Sequence, residues 1–217
     1  MILSIDGNIG SGKSTLFNSL KNYFSEEINC NGKKIVFIDE PVNDWQKIKD
    51  KTGKNILECF YENPEKYSFS FQMLAYISRL SRLQKVVKTG EYDVIITERC
   101  VFSDMNVFAK MLYDSGNINE IEWQVYRQWF YNFLDDIPVV YFIYINTDPE
   151  TCLDRINNRK RPGENISLQY LKDCDSYHKL WLENPEKHVV ELDGSKDISH
   201  HSIFIERVKQ LFVLNQV

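Results

Sequence analysis

Directly after an apolar run at residues 2–5 the chain reads DGNIGSGKST over residues 6–15. From Gly7 to Ser14 this matches the pattern G-x-x-x-x-G-K-[ST] at every fixed position. The pattern constrains the fold because it works only as strand, loop and helix in that order. Glycine permits backbone conformations that turn successive N–H groups inward around an anion. The N-terminus of the following helix adds partial positive charge on the same side. Gly7, Asn8, Ile9, Gly10, Ser11, Gly12, Lys13, Ser14 and Thr15 are therefore assigned to the phosphates of a nucleoside triphosphate, read here as ATP. Lys13 is expected at the β- and γ-phosphates, and the Ser14 hydroxyl at Mg²⁺.

The rest of the chain repeats that alternation. Residues 2–5, 34–38, 93–97, 139–145 and 188–192 are mostly continuous apolar, β-branched runs, as expected of strands buried on both faces. Helical spacing fills about 13–27, 55–88, 100–134, 148–182 and 199–214. Asn63-Pro64 and Asp148-Pro149 read as helix starts, because proline is accommodated in a first turn. Alternating strands and helices predict an α/β fold with a five-stranded parallel sheet covered by helices on both sides. No repeat or linker interrupts residues 1–217, so a single domain is expected at this length. Ligands in such sheets lie at the C-terminal ends of the strands.

Composition excludes several classes. A net charge of −5 argues against a nucleic-acid binder. No segment approaches the ~20 apolar residues of a membrane span. The N-terminus lacks a basic region followed by a long apolar core, so a signal peptide is not expected. Cys30, Cys59, Cys100, Cys152 and Cys174 are scattered without C-x-x-C spacing, as for reduced thiols. A cytoplasmic location is expected, and a mitochondrial one only if a targeting segment is missing from the sequence. His178, His188, His200 and His201 show no zinc spacing and read as surface or satisfied core histidines.

Two other strand ends carry charge. The third strand ends Thr97-Glu98-Arg99-Cys100, where an ATPase would show a Walker-B aspartate after an apolar strand. Glu98 is placed for Mg²⁺ and Arg99 for a phosphate or reacting hydroxyl. The second strand ends Asp39-Glu40-Pro41-Val42, and Glu40 there can accept the proton of an attacking hydroxyl. The guanine-reading N-K-x-D of GTPases is absent.

Taken together, D-G-N-I-G-S-G-K-S-T, D-E-P-V with Trp45 close behind, Y-x-x-P-E-K-Y-S-F-S-F-Q and E-R-C-V-F-S-D resemble the deoxyribonucleoside kinases, over the whole chain. The resemblance implies a P-loop kinase fold, with ATP-dependent phosphorylation of a deoxyribonucleoside at its 5′-hydroxyl, in nucleotide salvage. It makes Glu40 the general base, Arg99 the contact to the 5′-hydroxyl and phosphate, and Glu98 the acid on the metal side. Cys100 departs from the usual E-R-S. Gln72 matches the glutamine that pairs with the base edge. Trp45, Leu57, Phe60, Phe71 and Phe108 would wall the base, and Tyr61 would meet the sugar 3′-hydroxyl. Arg79 and Asp104 match a pair that accompanies deoxycytidine or purine substrates rather than thymidine. The family usually forms homodimers through long helices, here 64–88 and 118–134.

Residues 151–164, TCLDRINNRKRPGE, form a local basic cluster. Arg155 and Arg159 are four apart and so share a helix face. With Lys160 and Arg161 they read as a short arginine-rich lid, about 155–165, over the donor phosphates. Glu164 is the candidate for a second 3′-hydroxyl contact, although Pro162-Gly163 departs from the usual lid spacing. Asp193, in the Leu-Asp-Gly-Ser run after the last strand, falls where relatives cradle the donor base. Two rival readings are a nucleoside monophosphate kinase of the thymidylate-kinase type and a non-catalytic nucleotide-binding protein. The first would need extra basic residues for an acceptor phosphate. The second does not explain the intact Lys13, Glu40 and Arg99.

Overall fold

The computed structural model describes residues 1–26, 32–133, 137–138, 140–161, 164–184, 187–196 and 201–214, with no side-chain description at 201 and 212–214. Cys30, His200, the His201 side chain and Pro162-Gly163 lie outside the described residues, as do positions 27, 134, 139, 199 and 200 at the ends of expected elements.

Five strands form one sheet: β1 (Ile2–Gly7), β2 (Ile35–Ile38), β3 (Val94–Glu98), β4 (Val140–Asn146) and β5 (Val189–Asp193), in the order β2-β3-β1-β4-β5. Every described pairing within this sheet is parallel. Continuous apolar runs suit this arrangement because neighbouring residues serve opposite layers. Ile2, Ile95 and Phe142 pack into one apolar cluster, while their successors Leu3, Ile96 and Ile143 pack into another on the opposite face.

Helix α1 (Lys13–Tyr23) and α10 (His201–Leu214) cover the second face. The first face carries α2 (Val42–Trp45), α3 (Ile56–Glu62), α4 (Pro64–Val87), α5 (Val101–Ser103), a π-helical turn (Asp104–Ala109), α6 (Lys110–Asp114), α7 (Glu120–Asn132) and α9 (Leu168–Leu182). Helix α8 (Pro149–Arg159) packs with α9 around Cys152, Ile156, Ile166 and Leu171.

Three of the expected helical stretches divide where the sequence offers a cap. Asn55 opens α3 with a reciprocal capping box to Glu58. Asn63 then closes α3 and caps α4, with Pro64 in the first turn. The 100–134 stretch is four pieces rather than one helix, and Asn119 restarts it with a second capping box. Similarly, 148–182 breaks after Arg159, where Lys160 adopts a left-handed conformation (φ 49°) and Ser167 caps α9.

Register sets the position of the site. Ile5 pairs with Glu98 and Ile38 with Thr97. The loop after β1, Glu40 after β2 and Glu98-Arg99 at the end of β3 therefore share the C-terminal edge of three adjacent strands.

Candidate active site

The loop between β1 and α1 wraps around its own lysine. Lys13 Nζ donates to the Asn8 carbonyl at 2.6 Å. Gly12, at φ 106°, enters α1 without a side-chain cap, and the first turn of α1 holds no acidic residue. The orphan N–H groups of that turn are left for an anion. At Gly10 (φ 81°) a Cβ would lie 2.5 Å from the Cys152 carbonyl oxygen, so α8 packs against bare backbone there. Asn8 ties the loop to α9 by donating to Leu171 O at 2.8 Å. Thr147 Oγ1 and Arg155 Nη1 both donate to Ser11 O, at 3.0 and 3.2 Å.

Lys13 is buried beside Arg99, and its pKa is pushed down to about 7, first by burial and then by that guanidinium, against the pull of Glu98 and Glu40. Ser14 Oγ donates to Glu98 Oε1 at 2.6 Å. Glu40 is ringed by cations: Arg79 Nη2 at 3.1 Å and Arg99 Nε at 3.6 Å. Burial raises its pKa, but Arg79, Arg99 and Lys13 outweigh that and hold it below the usual carboxylate value. Arg79 also donates from Nε to Asp104 Oδ2 at 2.9 Å and from Nη1 to the Glu98 carbonyl at 2.8 Å. One guanidinium thus ties together the ends of β2 and β3 and the π-helical turn. Burial pushes the Asp104 carboxyl up and the Arg79 contact opposes it.

Beside this charged floor opens a cleft of about 880 Å³, its mouth included. Its lining combines Ile9, Gly10, Lys13, Ser14, Glu40, Glu98 and Arg99 with Trp45, Leu57, Phe60, Phe71, Gln72, Arg79, Asp104 and Phe108. Phe60 and Phe71 lie 5.0 Å apart at a 33° tilt, and Trp45 meets Phe71 edge-on at 5.5 Å. Tyr61, Arg159, Arg161 and Glu164 complete the wall. Arg159 binds the two oxygens of Glu164 through Nε at 3.0 Å and Nη2 at 2.5 Å. Tyr61 is held above the ordinary phenol pKa by burial first and then by Glu164, so its hydroxyl keeps its proton.

The sequence-predicted residues thus divide. All of the expected base and sugar contacts line one cleft with Lys13, Ser14, Glu40, Glu98 and Arg99. Gly7, Asn8, Ser11 and Gly12 belong to the loop and Thr15 to the first turn of α1, where it is exposed; none of them lines the cleft. Arg155 faces Ser11 O and the Gly194 carbonyl, the latter at 2.9 Å, and so bridges the loop to the segment after β5. Asp193 accepts from Ser195 N and Oγ and shapes that segment's turn. Val42, Ala75 and Tyr170 also line the cleft and were not anticipated. The first two are small apolar residues with no chemical signature, and Tyr170 arrives from a helix remote in sequence. Among the described residues no group of three or more His, Cys, Asp or Glu is placed to hold a metal ion. No described helix is long and apolar enough to cross a membrane.

Comparison with known proteins decides the lineage of this cleft. The profile of the Deoxynucleoside kinase family matches residues 3–213. The chain belongs to the deoxynucleoside kinase family. It is similar to Deoxycytidine kinase of Bos taurus, 34% identical over 239 residues, covering 95% of this chain and 89% of the relative. Deoxycytidine kinase 2 of Gallus gallus is 31% identical over 247 residues, covering 99% and 88%. The mitochondrial Deoxyguanosine kinase of Xenopus laevis is 33% identical over 199 residues, covering 83% and 72%. The chain is accordingly a phosphotransferase with the P-loop kinase fold, acting on the 5′-hydroxyl of a deoxynucleoside. That assignment removes both the monophosphate kinase and the non-catalytic reading.

Proposed function

We propose that this deoxynucleoside kinase uses ATP and Mg²⁺ to phosphorylate deoxycytidine or a purine deoxynucleoside in preference to thymidine. The observation that carries the proposal is that the Glu40 carboxylate and the Lys13 ammonium line the same cleft as the aromatic slot. A nucleoside with its base between Phe71 and Phe108 and its sugar toward Tyr61 and Glu164 directs its 5′-hydroxyl at Glu40. Glu40, ionised among three cations, takes the hydroxyl proton. Lys13, Arg99, Arg159 and Arg161 balance the charge on the transferring phosphoryl group, with Arg155 fixing the loop beneath it. Asp193 shapes the turn assigned to the donor base.

Mg²⁺ fits the donors present. Ser14 and Glu98 offer one hydroxyl and one carboxylate oxygen in contact with each other, and Mg²⁺ takes one or two such protein ligands plus water and phosphate oxygens. Held there, it would partly neutralise the charge of the donor phosphates.

The base preference is supported by Gln72, whose amide offers a donor beside an acceptor, and by the buried Arg79–Asp104 pair at the end of the slot. Relatives named as deoxycytidine and deoxyguanosine kinases point the same way. The same proposal takes residues 1–217 as one domain and the molecule as a homodimer. The same proposal sets it in the cytoplasm, a reducing compartment that fits the free thiols of Cys59, Cys100, Cys152 and Cys174 among the described residues.

The test is an ATP-coupled assay across the four deoxynucleosides, with their monophosphates as controls, on the native chain and on Glu40→Gln. Turnover is expected on deoxycytidine or a purine deoxynucleoside. It should fall about 10²- to 10⁴-fold in the variant, with nucleoside binding kept. Strong thymidine turnover would reject the base preference, and an active Glu40→Gln enzyme would reject the base.

A further inference from the structure

We propose that His178 is a positioning residue for Arg99, its Nε2 lone pair fixing where the guanidinium points while leaving its charge free for the phosphoryl group. His178 is wholly buried on α9 and does not line the cleft. Its Nδ1 lies 2.7 Å from the Cys174 carbonyl oxygen, one turn earlier. A carbonyl oxygen only accepts, so Nδ1 carries the hydrogen. In a neutral ring this leaves Nε2 as an acceptor. Burial, and then the neighbouring Arg99, hold His178 well below the ordinary histidine range, so the ring stays neutral.

Nε2 faces Arg99 Nη1 at 3.5 Å. That is the outer reach of a hydrogen bond, and catalytic contacts commonly tighten when the site is filled. The imidazole is itself clamped, edge-on to Phe108 at 6.0 Å and nearly parallel to Tyr144 at 6.1 Å.

Arg99 requires such a support. Its backbone is left-handed, at φ 61°, a conformation that non-glycine residues rarely adopt. Its guanidinium carbon lies 4.7 Å from the Phe108 ring centre, and Glu40 takes its Nε side. With Glu40 already beside the guanidinium, a second carboxylate in the place of His178 would leave it little net positive charge, whereas a neutral imidazole orients it by a dipole alone. The proposal rests on the reading that Arg99 acts on the transferring phosphate.

The experiment compares His178→Leu with His178→Gln, each in the native and the Arg99→Ala background. It uses steady-state and single-turnover kinetics, and thermal midpoints as a control for folding. Leucine removes the acceptor and glutamine restores one through its amide oxygen. His178→Leu should lower kcat about 10- to 100-fold, with the nucleoside KM within about twofold. His178→Gln should recover most of the loss. In the Arg99→Ala background His178→Leu should cost nothing further, because the pair acts as one unit.

If leucine does not fold, His178→Met carries the same comparison. Equal losses in both backgrounds, a loss seen in KM alone, or glutamine no better than leucine would overturn the proposal. An Arg99→Ala enzyme of near-native turnover would overturn the reading of Arg99 and this proposal with it. A dead Arg99→Ala enzyme with additive losses overturns the His178 proposal alone.

Discussion

At Glu40, the base in the reaction proposed above, two requirements pull apart. A base is stronger when its pKa is high, yet Arg79, Arg99 and Lys13 hold this carboxyl low. The conflict is resolved by the reaction itself. Phosphoryl transfer passes through a loose transition state in which the proton is needed late, so an always-ionised, well-aimed carboxylate serves better than a strong one. Lys13 is the complementary case. Its folded-state pKa, about 7, lies below its usual 10.5. In the empty protein it loses its proton as pH rises through about 7, whereas the unfolded chain keeps it to about 10.5. Its cost to folding is therefore full below pH 7 and is relieved between those values. Donor phosphates reverse the shift by placing anions against the ammonium. Nucleotide binding at pH 8 should then take up a proton. Titration calorimetry in buffers of different ionisation enthalpy reads that uptake, and it should vanish in Lys13→Met. Binding without proton uptake would show that Lys13 is already charged in the empty loop.

Among the elements, the lid segment after α8 offers the clearest division of labour. Arg159 has only its Nη1 left to offer a phosphate while Nε and Nη2 are engaged by Glu164. Glu164 cannot meet a sugar hydroxyl without sharing its oxygens with Arg159. Glu164→Gln weakens the tie and the sugar contact together. Nucleoside KM should rise about tenfold, the loss of roughly one charge-assisted hydrogen bond, with ATP KM unchanged or lower. Equal increases in both values would show that the pair only braces the lid. This segment also marks where the sequence stopped being legible. The strands were readable because burial on both faces demands continuous apolar runs, and Gly7–Ser14 because phosphate binding fixes residue types at fixed spacing. The π-helical turn carrying Asp104 and Phe108 was not, since over six residues its periodicity cannot be told from that of an α-helix. His178 and Tyr170 reach the site only through the docking of α9, a contact across some 80 residues that leaves no local pattern.

For the whole molecule, one surface stands apart. Ile121, Val125 and Trp129 recur at intervals of four along α7 and are 69%, 37% and 48% exposed. On α4, Ile77 is half exposed, and Tyr76 ties the two helices by donating to the Trp129 carbonyl at 3.1 Å. An aliphatic and aromatic stripe of this kind is costly in water and is what a two-fold helix interface needs. It also bears on the site, because α4 carries Phe71, Gln72 and Arg79 on its opposite side. A partner copy that pins the outer face of α4 would steady the base slot on the inner face. The native chain should therefore run in light scattering at twice the chain mass, with a thermal midpoint that rises with concentration. The double variant Ile121→Asp, Trp129→Asp should run as a monomer, lose that concentration dependence and bind nucleoside more weakly. The loss should exceed any change in ATP affinity, because α4 carries the base-slot residues whereas the phosphate loop is held by β1, α1 and contacts from Thr147, Arg155 and Leu171. A native chain that is monomeric at micromolar concentration would remove the homodimer, and with it the reason for placing these apolar side chains in solvent.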